Sequence, residues 1–135
     1  MIGSWFSETD GRAMAGGIKK CMFVNRRAPH GTLYAWEGLD LALTAAAFEQ
    51  DVSLVFLDDG VFQLKREQEP EALGFKNFAR AFKALPDYGI DAVYVERESL
   101  EARGLGTGDL CVPVRLIDAD SLGRLMQEQD LFFSF

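Results

Sequence analysis

Short apolar runs alternate along this chain with longer stretches of helical periodicity, and the alternation predicts a parallel sheet clad in helices. Lys20 to Asn25, with Cys21, Met22, Phe23 and Val24 uninterrupted, has the continuous apolar character of a strand buried on both faces. From Leu33 to Phe48 the pattern changes. Trp36, Leu39, Leu43 and Ala47 recur at helical spacing, Thr32 offers a hydroxyl as N-cap, and Glu37 and Asp40 lie towards the start, where the helix dipole favours negative charge. Val52 to Leu57 reads as a second strand, broken by Asp58-Asp59-Gly60, after which Val61 to Leu64 opens a helical turn. The polar run from Lys65 to Glu71 contains Pro70 and is expected to be an exposed loop.

The next helix is predicted around Leu73 to Leu85, with Phe75, Phe78 and Phe82 on one stripe and Pro86 closing it. Ala92 to Val95 is the third strand, Ser99 to Arg103 a short helix stopped by Gly104, and Val114 to Ile117 the fourth strand. Asp120 or Ser121 would cap a helix reaching Gln129, and Leu131 to Phe135 makes a fifth strand. Such alternation predicts a single three-layer α/β/α domain with a five-stranded, mainly parallel sheet. It would occupy residues 19–135 behind a flexible lead-in at 1–18, where several glycines and no continuous apolar core argue against a secretory signal.

Composition narrows the function classes. The 135 residues are 48% hydrophobic and 26% charged, enough for one core that needs neither disulfide nor metal. Net charge is −7, from twenty-one acidic against fourteen basic residues, which disfavours a phosphate-backbone partner and direct nucleic-acid binding. The longest apolar run is too short to span a membrane. Two cysteines ninety positions apart, outside any Cys-x-x-Cys pair, fit reduced thiols and a cytoplasmic location.

Two loops sit where open α/β sheets build their sites, at the carboxyl ends of strands. One is Asn25 to Thr32, with His30, Gly31 and Thr32 as loop or interface candidates; the other is Leu57 to Gln63, with Asp59 and Gly60. A single histidine beside acidic residues has no ligand spacing for a metal, and a loop-structuring hydrogen bond is its simpler use. Cys21, inside an apolar strand, reads as a small buried hydrophobe, whereas Cys111, after the Gly104-to-Leu110 loop, is the more accessible thiol. Gly104-x-Gly-x-Gly108 precedes a strand and not a helix, so it reads as a turn and not a dinucleotide fingerprint or a P-loop. No cofactor is expected. The phenylalanines of Leu131 to Phe135 would form a patch for a partner if exposed.

Four segments carry a family resemblance. Ala28-Pro-His-Gly-Thr32, Glu37-Gly-Leu-Asp40, Asp59-Gly-Val-Phe-Gln-Leu64 and Ser99-Leu-x-x-Arg-Gly-Leu105 resemble the DsrF/TusC branch of the DsrE-like sulfur-relay family, on its DsrF side. The resemblance covers about residues 19–135 and implies a DsrE-like fold in one of three related subunits, assembled as a dimer of heterotrimers. Such complexes relay persulfide sulfur to a small carrier protein, in sulfur oxidation or in 2-thiolation of the tRNA wobble uridine. The catalytic sister bears its sulfur-carrying cysteine just after the third strand, at the mouth of a short helix. By the same resemblance that position falls at Glu96 here, which cannot carry sulfane sulfur. A non-catalytic structural subunit is the expectation. The alternatives are a sulfane-sulfur acceptor working through Cys111, or a flavodoxin-like binder using Ala28 to Thr32.

Overall fold

The computed structural model of the chain describes residues 17–28, 34–66 and 78–135. Every apolar run becomes a strand: β1 (Lys20–Asn25), β2 (Asp51–Phe56), β3 (Ala92–Glu96), β4 (Arg115–Ile117) and β5 (Leu131–Ser134). The periodic segments become α1 (Tyr34–Ala47), α2 (Phe78–Lys83), α3 (Arg97–Ala102) and α4 (Ala119–Gln127), with 3-10 turns at Asp58–Leu64, Leu85–Tyr88 and Thr107–Asp109. Thr32, Phe75, most of the 1–18 lead-in and the side chains of Trp36 and Phe78 lie outside the described residues.

The sheet runs β4-β3-β2-β1-β5 and every described pairing is parallel, where a mainly parallel sheet was expected. Chain direction and handedness then decide where the helices go. From β1 to β4 each crossover steps the same way, and right-handed crossovers put all of those helices on one face. The last crossover steps back to β5 beside β1, so α4 lands on the other face.

Burial follows this division. Cys21, Phe23, Leu54, Phe56 and Val95 point to the first face and pack against Leu39 and Ala42 of α1, Phe82 of α2 and Leu100 of α3. Phe23 stacks on Phe133 at 5.0 Å between ring centroids, and Phe56 meets Phe82 edge-on at 5.6 Å. Each such ring contributes about 2–3 kcal/mol by leaving water. On the second face Met22, Val24 and Val55 are covered by Leu122, Leu125 and Met126 of α4.

Several boundaries differ from those expected. Pro86 does not simply end a helix. It occupies the first turn of the Leu85–Tyr88 3-10 helix, where its missing N–H costs nothing, and Gly89 closes that turn at φ +80°. Helix α3 starts at Arg97, two residues early, because Glu96 is both the last residue of β3 and the extended N-cap. Helix α4 is capped neither by Asp120 nor by Ser121 but by Asp118, whose Oδ1 accepts from the Ser121 N–H at 2.7 Å, and it ends at Gln127. The terminal patch is only partly exposed: Phe132 is 44% exposed, while Phe133 and Phe135 are half-buried against the core. Among the described residues no helix is long and apolar enough to cross a membrane.

Candidate functional site

The carboxyl ends of β1, β2 and β3 meet the 58–64 turn and α3, and polar side chains tie these elements together. Asn25 closes β1 almost fully buried, with its Nδ2 donating to the carbonyls of Phe23 at 3.3 Å and Val55 at 3.4 Å. Its own carbonyl accepts from Leu57 N–H at 3.1 Å. The 58–64 turn lies so close to this strand end that a Cβ on Gly60 would stand 1.9 Å from the Asn25 carbonyl oxygen. Gly60 is therefore required by contact. Buried Gln63 fixes the next loop, donating from Nε2 to the Arg27 carbonyl at 2.8 Å.

Asp58 is the strained residue of the site, at φ +51°. Its carboxylate accepts from Arg26 Nε at 3.0 Å and Nη2 at 2.9 Å, and its N–H donates to Ser99 Oγ at 2.9 Å. The buried Ser99 hydroxyl donates in turn to Glu96 Oε1. Arg103 completes the ring: Nε reaches Asp59 Oδ1 at 3.1 Å and Nη1 reaches the Ser99 carbonyl at 3.1 Å. Both ion pairs are largely exposed and worth little as stability, but they fix three loop segments relative to one another. Beside them, Arg26, Arg27, Ser134 and Phe135 line a cavity of about 250 Å3 between the ends of β1 and β5.

Asp59, Gly60 and Glu96 are thus brought together at one end of the sheet. His30, Gly31 and Thr32 lie outside the described residues, and within those residues Asp58 and Asp59 pair with arginines. Sequence reasoning missed Arg26, Asp58, Ser99 and Arg103 as a set. The readable signals were the Ser99-Leu-x-x-Arg103 segment and the Leu57-to-Gln63 loop, each seen separately and neither tied to Arg26.

Both cysteines lie towards the opposite end. Cys21 is wholly buried, paired in register with Val52 and Leu131 near the start of β1. Cys111 precedes β4 and borders an apolar cavity of about 230 Å3 with Phe82, Leu85, Ile90 and Val93. Burial pushes its thiol up, against smaller opposing effects from its backbone hydrogen bond, Lys83 and Arg66. A thiol in that state is a weak nucleophile at neutral pH. Among the described residues no group of three or more His, Cys, Asp or Glu is placed to hold a metal ion.

Comparison with known proteins decides the family. The DsrE/DsrF-like family model matches residues 19–135. The chain belongs to the DsrE/DsrF-like family. Relatives include the intracellular sulfur oxidation protein DsrF of Allochromatium vinosum, 45% identical over 90% of this chain and all of that one. Protein TusC of Buchnera aphidicola is 35% identical over 87% of this chain and all of its own length. The ychN protein from E. coli superposes with a TM-score of 0.75 at 23% identity, over 88% of this chain and all of that one. That likeness shows a shared fold.

Proposed function

We propose that this chain is a DsrF-like, non-catalytic subunit of a cytoplasmic sulfurtransferase complex, a heterohexamer in which it scaffolds DsrE-like and DsrH-like sisters. The observation that carries the reading is chemical. By the family resemblance the catalytic sister's sulfur-bearing position falls at Glu96, whose carboxylate accepts from Ser99, and both cysteines lie towards the other end of the sheet. A carboxylate has no sulfur to form a persulfide, so the subunit's part is to present loops and a surface. The Arg26–Asp58 and Arg103–Asp59 pairs hold those loops in one arrangement. Sulfur then passes on the sisters to a small carrier protein, and the net charge of −7 supports a protein partner over direct nucleic acid.

Dissimilatory sulfur oxidation is favoured over tRNA thiolation by the higher identity to DsrF, 45% against 35% for the Buchnera TusC. A sulfane-sulfur acceptor role for Cys111 is opposed by the raised thiol. Co-expression with the neighbouring genes, native mass spectrometry and persulfide loading test all of this together. The expected result is a species with two copies each of three related subunits, with the mass gain of about 32 Da for one sulfur appearing on a sister and not here. A monomer indifferent to its sisters, or a sulfur adduct on this chain that Cys111→Ser abolishes, would overturn the proposal.

A further inference from the structure

On the α4 face, towards the amino ends of the strands, lies a polar cleft of about 250 Å3 that the sulfur-relay reading does not use. Strand register builds it. Lys20 stands beside Asp51, and Tyr94 beside Arg115, and these positions project to the same face as Ser53 between them. Ser53 and Tyr94 contribute to the floor, Lys20, Asp51 and Arg115 to the walls, and the end of α4 with Glu128 to the roof. The neighbour of Ser53 on β3 is only Ala92, and that small side chain leaves the space open.

Ser53 is 8% exposed, and its Oγ has no hydrogen-bond partner among the described residues. Buried hydroxyls are almost always satisfied, so an orphan lining a cavity points to something that enters it. The charged groups around it are also free of ion pairs among the described residues. Among the described residues the ion pairs are Arg26–Asp58 and Arg103–Asp59, which leaves Lys20, Asp51, Arg115 and Glu128 outside any ion pair. The Arg115 guanidinium lies 5.7 Å from the Tyr94 ring centroid and donates from Nη1 to the Tyr94 hydroxyl at 3.5 Å, which holds it at the cleft's edge with its other N–H groups available.

Two cations, two carboxylates and a free hydroxyl select by charge. A simple anion would face Asp51 and Glu128, and a simple cation would face Lys20 and Arg115. A small molecule bearing both charges can turn its anionic end to Arg115 and its cationic end to Asp51 and Glu128. The carboxyl end of α4 adds partial negative charge on the Glu128 side, where an ammonium would sit. We propose that this cleft is a binding site for a free α-amino acid. Its carboxylate is held by Ser53 and Arg115, and its ammonium lies between Asp51 and Glu128.

The site is independent of the sulfur-relay reading and is tested on the purified full-length chain, alone and in its complex. The probes are glycine, L-alanine and L-glutamine, followed by saturation-transfer NMR and titration calorimetry, with acetate and ethylammonium as single-charge controls. The amino acids are expected to bind about tenfold more tightly than either control, and Ser53→Ala and Arg115→Gln each to weaken them by about tenfold. Ser53→Ala removes an unpaired buried hydroxyl and should leave the melting temperature unchanged or higher, separating a binding loss from a folding loss. No binding up to about 10 mM would mean the hydroxyl meets only water and would overturn the proposal. Equal binding of the controls, or equal affinity of wild type and Ser53→Ala, would overturn it as well.

Discussion

At Gly60 a missing methyl group sets the site. With a Cβ only 1.9 Å from the Asn25 carbonyl oxygen, and backbone as the obstacle, no rotamer change can relieve the clash. Gly60→Ala is expected to cost about 2–3 kcal/mol in urea unfolding. Gly108→Ala, whose added methyl meets nothing within 4 Å, should stay within about 0.5 kcal/mol. Equal costs for the two would contradict the close approach. Asp118 makes a pH-dependent prediction. The backbone N–H of Ser121, and then its side chain, hold the Asp118 carboxyl below its ordinary value. Its contribution is therefore complete above the unfolded pKa of about 3.9 and fades as acid carries the pH through the lower folded value. Asp118→Asn keeps a cap acceptor without the charge, so the melting-temperature gap between the two proteins should be constant above about pH 5 and narrow steadily as the pH falls through the unfolded value of about 3.9.

Elements were legible in proportion to how far local pattern decided them. β1 was readable to the residue because a charged Lys20 and a polar Asn25 bracket four unbroken apolar positions. The start of α3 was not, since β3 passes into it through Glu96 with no glycine, proline or turn residue to mark the change. The Asp118 cap was overlooked in favour of Asp120 and Ser121, because a run of three candidates offers no local reason to prefer one. The Arg26–Asp58 pair joins residues 32 apart and depends on β1 and β2 being adjacent, which only the assembled sheet supplies. The unequal cladding of the sheet also followed from strand order. Because α4 is, among the described residues, the helix over the second face, Leu122→Ala uncovers Met22, Val24 and Val55 together and is expected to cost about 2–4 kcal/mol, read as a shift in the denaturant midpoint.

For the whole molecule, the family and the α/β fold were open to sequence reasoning, while the strand order was not. The exposed Phe132 on edge strand β5 belongs to this scale. If the chain scaffolds sister subunits, Phe132→Asp should leave circular dichroism and unfolding of the isolated chain nearly unchanged while depleting the native mass spectrum of the heterohexamer. Loss of fold in that variant would make Phe132 a core residue instead. Retention of the full complex would remove β5 from the assembly surface.

The return of β5 to β1 also sets an order of events in folding. The Asp130 carboxylate accepts from Lys20 N–H across 110 residues, and the whole β1–β5 ladder depends on that separation. Closing so long a loop is entropically slow compared with pairing β1 to β2 through a single helix. Refolding chains should therefore pass through a stage with four strands in place and the outer edge of β1 bare, a template for stray pairing. Pulsed hydrogen exchange during refolding would register this as late protection of residues 131–134, with aggregation yield rising with protein concentration over the same interval.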